Sequence, residues 1–275
     1  MECTEDLVAG RLTDIVVTTK EMKVIKPKYY TWIRKSRVAT FAIVSALLLI
    51  IVTLWLNTVV SIIAFVLAVP FIYLTFILSY TYYQFSEHGG NYQGQIHDTI
   101  LAQITVKSGK LLDIGSGSGS LIIKTAKKLS NVVAVGVDSW RTDWNDYSKK
   151  LCEINAEIEG VSDRITFFQG SAANLPFGND EFDIVTSCLT FHEVKDTPDK
   201  EVLLCEALRV LKHGGEFIFL DLFESEKVFG KLSSLVASLD VSRIEAKRLG
   251  EIIPLPKLLH IKQCLGYAVI IKGIK

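Results

Sequence analysis

The densest chemistry in this 275-residue chain lies in Leu111-Leu112-Asp113-Ile114-Gly115-Ser116-Gly117-Ser118-Gly119, an apolar run that ends in alternating glycines. Glycine lets the backbone take φ values closed to other residues and lets a ligand approach the main chain. A strand feeding such a turn, with a helix after it, puts the turn at the carboxyl end of an open α/β sheet, where ligands bind. A second apolar run, Val135-Gly136-Val137-Asp138, closes on a carboxylate able to accept two hydrogen bonds at once. His192, in Leu189-Thr190-Phe191-His192-Glu193-Val194, titrates near neutral pH and is the candidate for taking a proton from an acceptor. The same histidine serves equally well as a pocket wall that transfers nothing. The cysteines Cys3, Cys152, Cys188, Cys205 and Cys264 form no C-x-x-C pair and have no histidine at zinc-ligand spacing. Neither a metal site nor a disulfide framework is expected.

These residues need a scaffold, and from Glu87 onward short apolar runs alternate with amphipathic stretches in an α/β pattern. A helix Gln93 to Ile104 precedes a strand Leu111 to Ile114. Helix Ser120 to Leu129 leads to strand Val132 to Val137, and helix Trp144 to Glu159 leads to strand Ile165 to Phe168. Strand Phe182 to Ser187, helix Lys200 to Leu211 and strand Glu216 to Leu220 follow. Crossovers of this length imply parallel strands with helices on both faces. Val241 to Leu249 and Tyr267 to Lys272 read as two final strands, an antiparallel edge pair.

The spacing Asp113-x-Gly115-x-Gly117-x-Gly119 resembles the first motif of class I methyltransferases, and the resemblance extends over Gln93 to Lys275. It implies a doubly wound, mostly parallel seven-stranded sheet and S-adenosyl-L-methionine as cofactor. In that family the acidic residue closing the second strand holds both ribose hydroxyls, a role that falls to Asp138. Asp113, Gly115, Ser116, Gly117, Gly119 and Ser139 join it around the cofactor, and Trp140 either stacks on adenine or faces solvent or membrane. After the third strand, Phe168-Gln169-Gly170-Ser171-Ala172 carries serine where relatives often have the aspartate that binds the adenine amino group. The Ser171 hydroxyl or the main chain of Ala172 is left to make that contact. Glu181-Phe182-Asp183-Ile184-Val185-Thr186-Ser187-Cys188 is similar to the family's fourth-strand motif, so Leu189 and His192 line the pocket near the reacting sulfur. Leu208 to Gly215 is similar to the turn into the fifth strand, with His213 where proline is common. Asp221 and Glu224 follow that strand at the ligand-bearing edge, where they either face the acceptor or are solvated loop charges. The nearest resemblance is to methyltransferases of small molecules, quinones and lipids.

Two other readings stay open. A nicotinamide-dependent oxidoreductase would want glycine or alanine where this chain has Ser120. A cofactor-binding membrane adaptor without turnover would account for Ser171.

The N-terminal third follows another logic. Mean hydropathy is +0.32, and the excess sits in one block. From Val38 to Ser86 no Asp, Glu, Lys or Arg occurs. As a single helix that run would be about twice as long as the ~30 Å hydrocarbon core requires, so it must turn back. Asn57-Thr58 marks the turn between spans Val38 to Leu56 and Val59 to Tyr82, with Pro70 expected to kink the second. Tyr29, Tyr30, Trp32, Trp55, Tyr80, Tyr82 and Tyr83 suit the interfacial aromatic belts. Lys20, Lys23, Lys26, Lys28, Arg34, Lys35 and Arg37 precede the first span and hold that flank in the cytoplasm. The expected organisation is a basic cytoplasmic segment 1–37, a transmembrane helical hairpin 38–86 and a cytoplasmic methyltransferase domain 87–275. Ile252 to Lys262 is read as a second contact with the lipid interface or a loop packed on the domain. The expected partners are the lipid bilayer and a small-molecule or lipid acceptor. Lys plus Arg and Asp plus Glu are both 30, so no net field draws the chain to nucleic acid.

Overall fold

The computed structural model describes residues 26–54, 57–141, 146–262 and 264–275. The readings made of Cys3, Lys20, Lys23, Trp55 and Trp144 lie outside these residues. The charge-free run folds as α1 (Lys35–Thr53) and α2 (Thr58–Phe85), packed on each other. Asn57 caps α2, its Oδ1 accepting from the amides of Val59 at 2.8 Å and Val60 at 3.4 Å. That is why the polar residue in mid-run starts the second helix. Small residues let the helices approach, Ala64 and Ala68 being buried, and Phe41 meets Phe71 with ring centroids 5.9 Å apart. Ser45 and Thr75 lie 3.4 Å apart between the helices, and each also donates to a carbonyl one turn back. The outer surface is apolar and bare, with Ile43, Leu47, Ile62, Phe65 and Phe76 all more than half exposed. Both helices are long and apolar enough to cross a membrane. α2 continues through Pro70 as one helix.

After α3 (Tyr92–Gln103) the chain builds a seven-stranded sheet: β1 (Ser108–Ile114), β2 (Asn131–Asp138), β3 (Ile165–Gln169), β4 (Phe182–Cys188), β5 (Leu211–Asp221), β6 (Arg243–Arg248) and β7 (Val269–Ile274). The strand order is β3-β2-β1-β4-β5-β7-β6. The first five strands in chain order pair in parallel, while β7 runs antiparallel between β5 and β6. The crossovers are α4 (Ser120–Lys128), α5 (Lys149–Ile158) and α6 (Glu201–Val210). Alternate strand residues feed two cores. Leu111, Ile184 and Ile218 join Ile96 and Ile122 on one face, and Leu112, Val185 and Phe217 join Leu203 and Leu204 on the other. This is the doubly wound, mostly parallel sheet the sequence pattern leads to.

Several boundaries differ from the sequence reading. β5 begins at Leu211, because Leu211 pairs with Phe182 before a register shift resumes pairing at Glu216 opposite Ile184. α5 starts at Lys149, where Ser148 Oγ accepts from the Leu151 amide at 3.1 Å. The short helices α7 (Glu226–Phe229), α8 (Leu232–Ser238) and α9 (Leu249–Ile252) carry too few periodic residues to be read.

One membrane-surface expectation is corrected, and of the two readings of Ile252 to Lys262 the structure takes the loop packed on the domain. Tyr29, Tyr30 and Trp32 pack on the domain instead of forming an aromatic belt: Trp32 lies edge-on to Phe85 and His97 at 5.1 and 5.8 Å, and Tyr30 edge-on to Tyr147 at 6.2 Å. The Tyr29 hydroxyl reaches Glu159 Oε1 at 3.4 Å. The segment Ile252 to Lys262 also packs inward. Leu259 is fully buried, and Ile252, Ile253 and Leu255 rest against the first core.

Candidate active site

The strand order reverses between β1 and β4, the place where an open sheet leaves a crevice beyond its carboxyl edge. A cleft of about 320 Å³ opens there. Its floor is the turn from β1 into α4. Gly115 takes φ +81°, and a Cβ on it would come 1.9 Å from Thr190 Oγ1, so only glycine lets the loop after β4 close on the turn. The Gly115 amide donates to Val137 O at 2.8 Å, which ties the turn to the end of β2. Asp113, Gly115, Ser116, Gly117, Asp138, Ser139, Ser171, Ala172, Leu189 and His192 all line the cleft, which gathers most of the residues singled out from sequence.

Gly119 and Trp140 are placed otherwise. Gly119 caps α4 and faces the core, where an added Cβ would meet Ile123 at 3.0 Å and Cys152 and Phe167 at 3.5 Å. Its glycine serves the packing of helix on sheet. Trp140, at φ +40°, turns its indole onto the turn, Nε1 donating to Gly117 O at 2.9 Å. It braces the glycine loop and is not among the residues that line the cleft.

Asp113 is 1% exposed, with Oδ1 accepting from Thr186 Oγ1 at 3.0 Å and Oδ2 lacking any partner among the described residues. Burial, only partly offset by its hydroxyl partners, pushes its carboxyl up to about 7. An unpaired buried acceptor beside a ligand-sized cleft is suited to a cationic group. Asp138 receives the Gly117 amide on Oδ2 and the Trp140 amide on Oδ1, both at 2.8 Å. Burial raises its pKa while these main-chain donors act to lower it. A carboxylate has about four acceptor sites, so these donors leave capacity for a ribose hydroxyl.

On the opposite wall His192 sits in a 3₁₀ turn (Phe191–Glu193) after β4. Its Nδ1 is 2.6 Å from Asp221 Oδ1. Asp221 is fully buried and faces this imidazole instead of an acceptor; it also receives the amides of Phe191 and Leu222, each at 2.7 Å. Glu224 departs further, its carboxylate paired with Arg248 Nε at 2.6 Å. With Nδ1–H donating to Asp221, the basic nitrogen is Nε2, and Glu193 Oε1 stands 3.7 Å away, beyond hydrogen-bond reach. Burial pulls the His192 pKa down, but the Asp221 charge and hydrogen bond outweigh it and the net shift is upward.

The third wall comes from the base of the helical pair, with Trp32 and Ile33 before α1, Arg37 in its first turn and Phe85 at the end of α2, and from Gln93 and His97 of α3. Desolvation, with Lys124 adding to it, lowers His97 to about 3, so this imidazole is neutral. Asn155 of α5 fastens the wall to the floor. Its amide exchanges two hydrogen bonds with the Lys28 main chain, at 2.8 and 2.9 Å, and donates a third to Ser118 O at 2.9 Å. Tyr147 does the same from another side, its hydroxyl 3.3 Å from Thr31 O and its ring facing Gly117. Asn155, Gln93, His97, Arg141 and Asp196 line or brace the site without having been singled out from sequence as site residues. None carries a local signal, since each acts through a partner distant in the chain. No group of three metal-ligating side chains occurs among the described residues.

Comparison with known proteins agrees on a domain type. Residues 112–219 match a family model described as a methyltransferase domain. The Ubiquinone/menaquinone biosynthesis C-methyltransferase UbiE of Rickettsia massiliae (strain Mtu5) is 33% identical over 124 residues, 45% of this chain and 48% of the relative. The protein of the same name from Allorhizobium ampelinum is 30% identical over 118 residues, 42% of each chain. The chain thus spans about half the length of the curated relatives it matches. Among solved structures, the [4+2]-cyclase SpnF superposes with a TM-score of 0.50 at 16% identity, over 66% of this chain and 80% of that one. That likeness concerns the fold alone, and fold does not fix the reaction.

Proposed function

We propose that the chain is a membrane-anchored S-adenosylmethionine-dependent methyltransferase acting on a small, quinone-like or lipid-like acceptor. The observation that carries the reading is the buried Asp113, a carboxylate with its Oδ2 unpaired, at the edge of the same cleft as Asp138 and the glycine turn. S-adenosylmethionine carries an ammonium, a diol and an adenine, and the donor set fits it. Asp113 and the turn of Gly115, Ser116 and Gly117 would hold the amino-acid end, Asp138 and Ser139 the ribose, and Ala172 and Leu189 the base. The family match over residues 112–219 supports the same cofactor.

When bound, the cofactor supplies an activated methyl group whose departure leaves a neutral thioether. The chain's own task is then alignment and exclusion of water, an effect worth roughly 7–11 kcal/mol when the geometry is held. Trp32, Ile33 and Phe85 give the cleft an apolar wall for that purpose. His192 Nε2 accepts the proton of an acidic acceptor, with Asp221 fixing the tautomer and steadying the imidazolium.

The membrane reading is supported by the bare apolar surfaces of α1 and α2 and by the basic residues before α1. Both termini are then cytoplasmic, with 1–37 preceding the hairpin 38–86 and the domain 87–275 beyond it. Because Trp32, Arg37 and Phe85 belong both to the hairpin's base and to the cleft wall, an amphiphile dissolved in the bilayer reaches the site without crossing water. The names of the curated relatives, which refer to quinone biosynthesis, favour the same acceptor class.

The test is incubation of full-length protein in vesicles with a methyl-labelled cofactor and a membrane lipid extract. Release of S-adenosylhomocysteine together with a labelled lipid is expected. Binding without release would favour an adaptor, and transfer only to water-soluble acceptors would remove the lipid acceptor.

A further inference from the structure

Ser171 leaves the end of β3 without the carboxylate that the resemblance leads one to expect, and a carboxylate from elsewhere in the chain stands beside it. Asp196 follows the 3₁₀ turn after β4, and its Oδ2 accepts from Ser171 Oγ. The Ser171 oxygen meanwhile accepts from the Ala173 amide at 3.1 Å, which leaves its proton directed at Asp196. Arg141, three residues past the end of β2, reaches Asp196 Oδ1 through Nη1 at 2.9 Å. Loops from the ends of β2, β3 and β4 therefore converge on one carboxylate, and Arg141, Ser171 and Asp196 all line the cleft with Ser139, Ala172 and Val194.

Resting on the cofactor proposed above, we infer that Asp196 is the group that recognises the exocyclic amino group of the cofactor's base, a task carried at position 196 in this chain instead of position 171. A carboxylate has only acceptor sites, and the contacts described leave some of them open. Such a group takes an amino group and rejects a carbonyl oxygen, whereas the Ser171 hydroxyl alone accommodates either. Arg141 on one oxygen and Ser171 on the other hold the plane of the carboxylate. A plain loop clamp would use the same contacts but would be indifferent to the base.

Calorimetry on the full-length protein in detergent separates the two roles, with S-adenosylhomocysteine and its deaminated analogue S-inosylhomocysteine as probes. The wild type prefers the adenosyl compound. Asp196→Asn should weaken that compound roughly 10- to 100-fold, the range for a hydrogen bond to a charged group. The inosyl compound should bind no more weakly, because an amide can donate to its carbonyl, and the preference disappears. Adding Ser171→Asp to Asp196→Asn should restore the preference, as it returns a carboxylate to the same subsite. Equal weakening of both compounds, or an unchanged preference in Asp196→Asn, overturns the inference. Failure of the wild type to bind either compound instead overturns the cofactor reading, and this inference with it.

Discussion

Asp221→Asn is the most informative single change, because it preserves shape while removing a charge from a fully packed position. The carboxylate receives four N–H groups: Leu222 N and His192 Nδ1 on Oδ1, and Phe191 N and His192 N on Oδ2. Whichever way an asparagine turns, its NH2 faces a backbone donor, Leu222 or Phe191. One stranded donor pair costs about 1–3 kcal/mol. Below the His192 pKa an imidazolium also loses its buried counter-charge, which brings the loss to roughly 3–5 kcal/mol. The sign follows from the upward shift of His192 in the folded protein. Stability from the pair is fully present below the unfolded value near 6.5 and is lost as pH rises through the folded value. The gap in unfolding free energy between wild type and Asp221→Asn should therefore be widest in acid and narrow above neutrality. Denaturant melts at a series of pH values measure it, and NMR titration of His192 reads the cause directly. In the variant, burial acts without Asp221 and the histidine pKa falls. If His192 is the base, the rise in methyl transfer with pH moves to lower pH and the plateau drops by about 10²–10⁴. A stability gap that is independent of pH, or a histidine titration unmoved by the substitution, would refute the coupling.

Other expectations follow from the same contacts. Asp138→Asn should weaken S-adenosylhomocysteine at least about tenfold, as hydrogen bonds to a charged group are worth about 1.5–3 kcal/mol, and calorimetry decides; unchanged affinity would put the ribose elsewhere. Asp113 takes up a proton on folding, so between its unfolded value and about 7 stability falls as pH rises, and Asp113→Asn should flatten that slope. Cofactor binding near pH 6 should release that proton, visible as a dependence of binding enthalpy on buffer ionisation. Asn155→Ala removes three hydrogen bonds between Lys28, Ser118 and α5, and should cost about 1–3 kcal/mol of stability together with cofactor affinity. In sealed vesicles with the cytoplasmic face inside, the domain should resist external protease; digestion would invert the proposed topology.

The elements that sequence made legible are those whose signal is local. The glycine turn, the carboxylate closing β2 and the charge-free run each declare themselves within about ten to fifty residues, and the parallel pairing of the first strands follows from the alternation that connects them. What stayed hidden acts across distance. Nothing near Asp221 says that it backs His192 instead of facing an acceptor, because that depends on β4 and β5 being neighbours. Nothing near Asn155 says that a mid-helix asparagine joins the residues before α1 to the glycine turn. Tyr29, Tyr30 and Trp32 misled for a related reason. An aromatic beside a hydrophobic span suits lipid and protein equally, and only the approach of α3 and of Tyr147 and Glu159, on either side of α5, shows that it found protein.

That last contact changes how the hairpin and the domain relate. If α1 and α2 were only a tether, the segment before α1 would be a linker and the cleft would be complete without it. Instead residues 28–33 lie between the helical pair and the cofactor turn, and Asn155 and Tyr147 each hold this strap on one side and the turn on the other. Ile33, Phe85, Gln93 and His97 border both the cleft and a larger cavity of about 1220 Å³ under the base of the hairpin. A shift of α1 against α3 must therefore move a wall of the site. Packed cores pass such shifts on instead of absorbing them. Excision of residues before 87 would strip the cleft of Trp32, Ile33, Arg37 and Phe85, so a truncated domain should bind S-adenosylhomocysteine more weakly than the full chain in detergent, where no membrane contributes. Equal affinity in the two would show that the strap is a passive cover and that the hairpin acts through location alone.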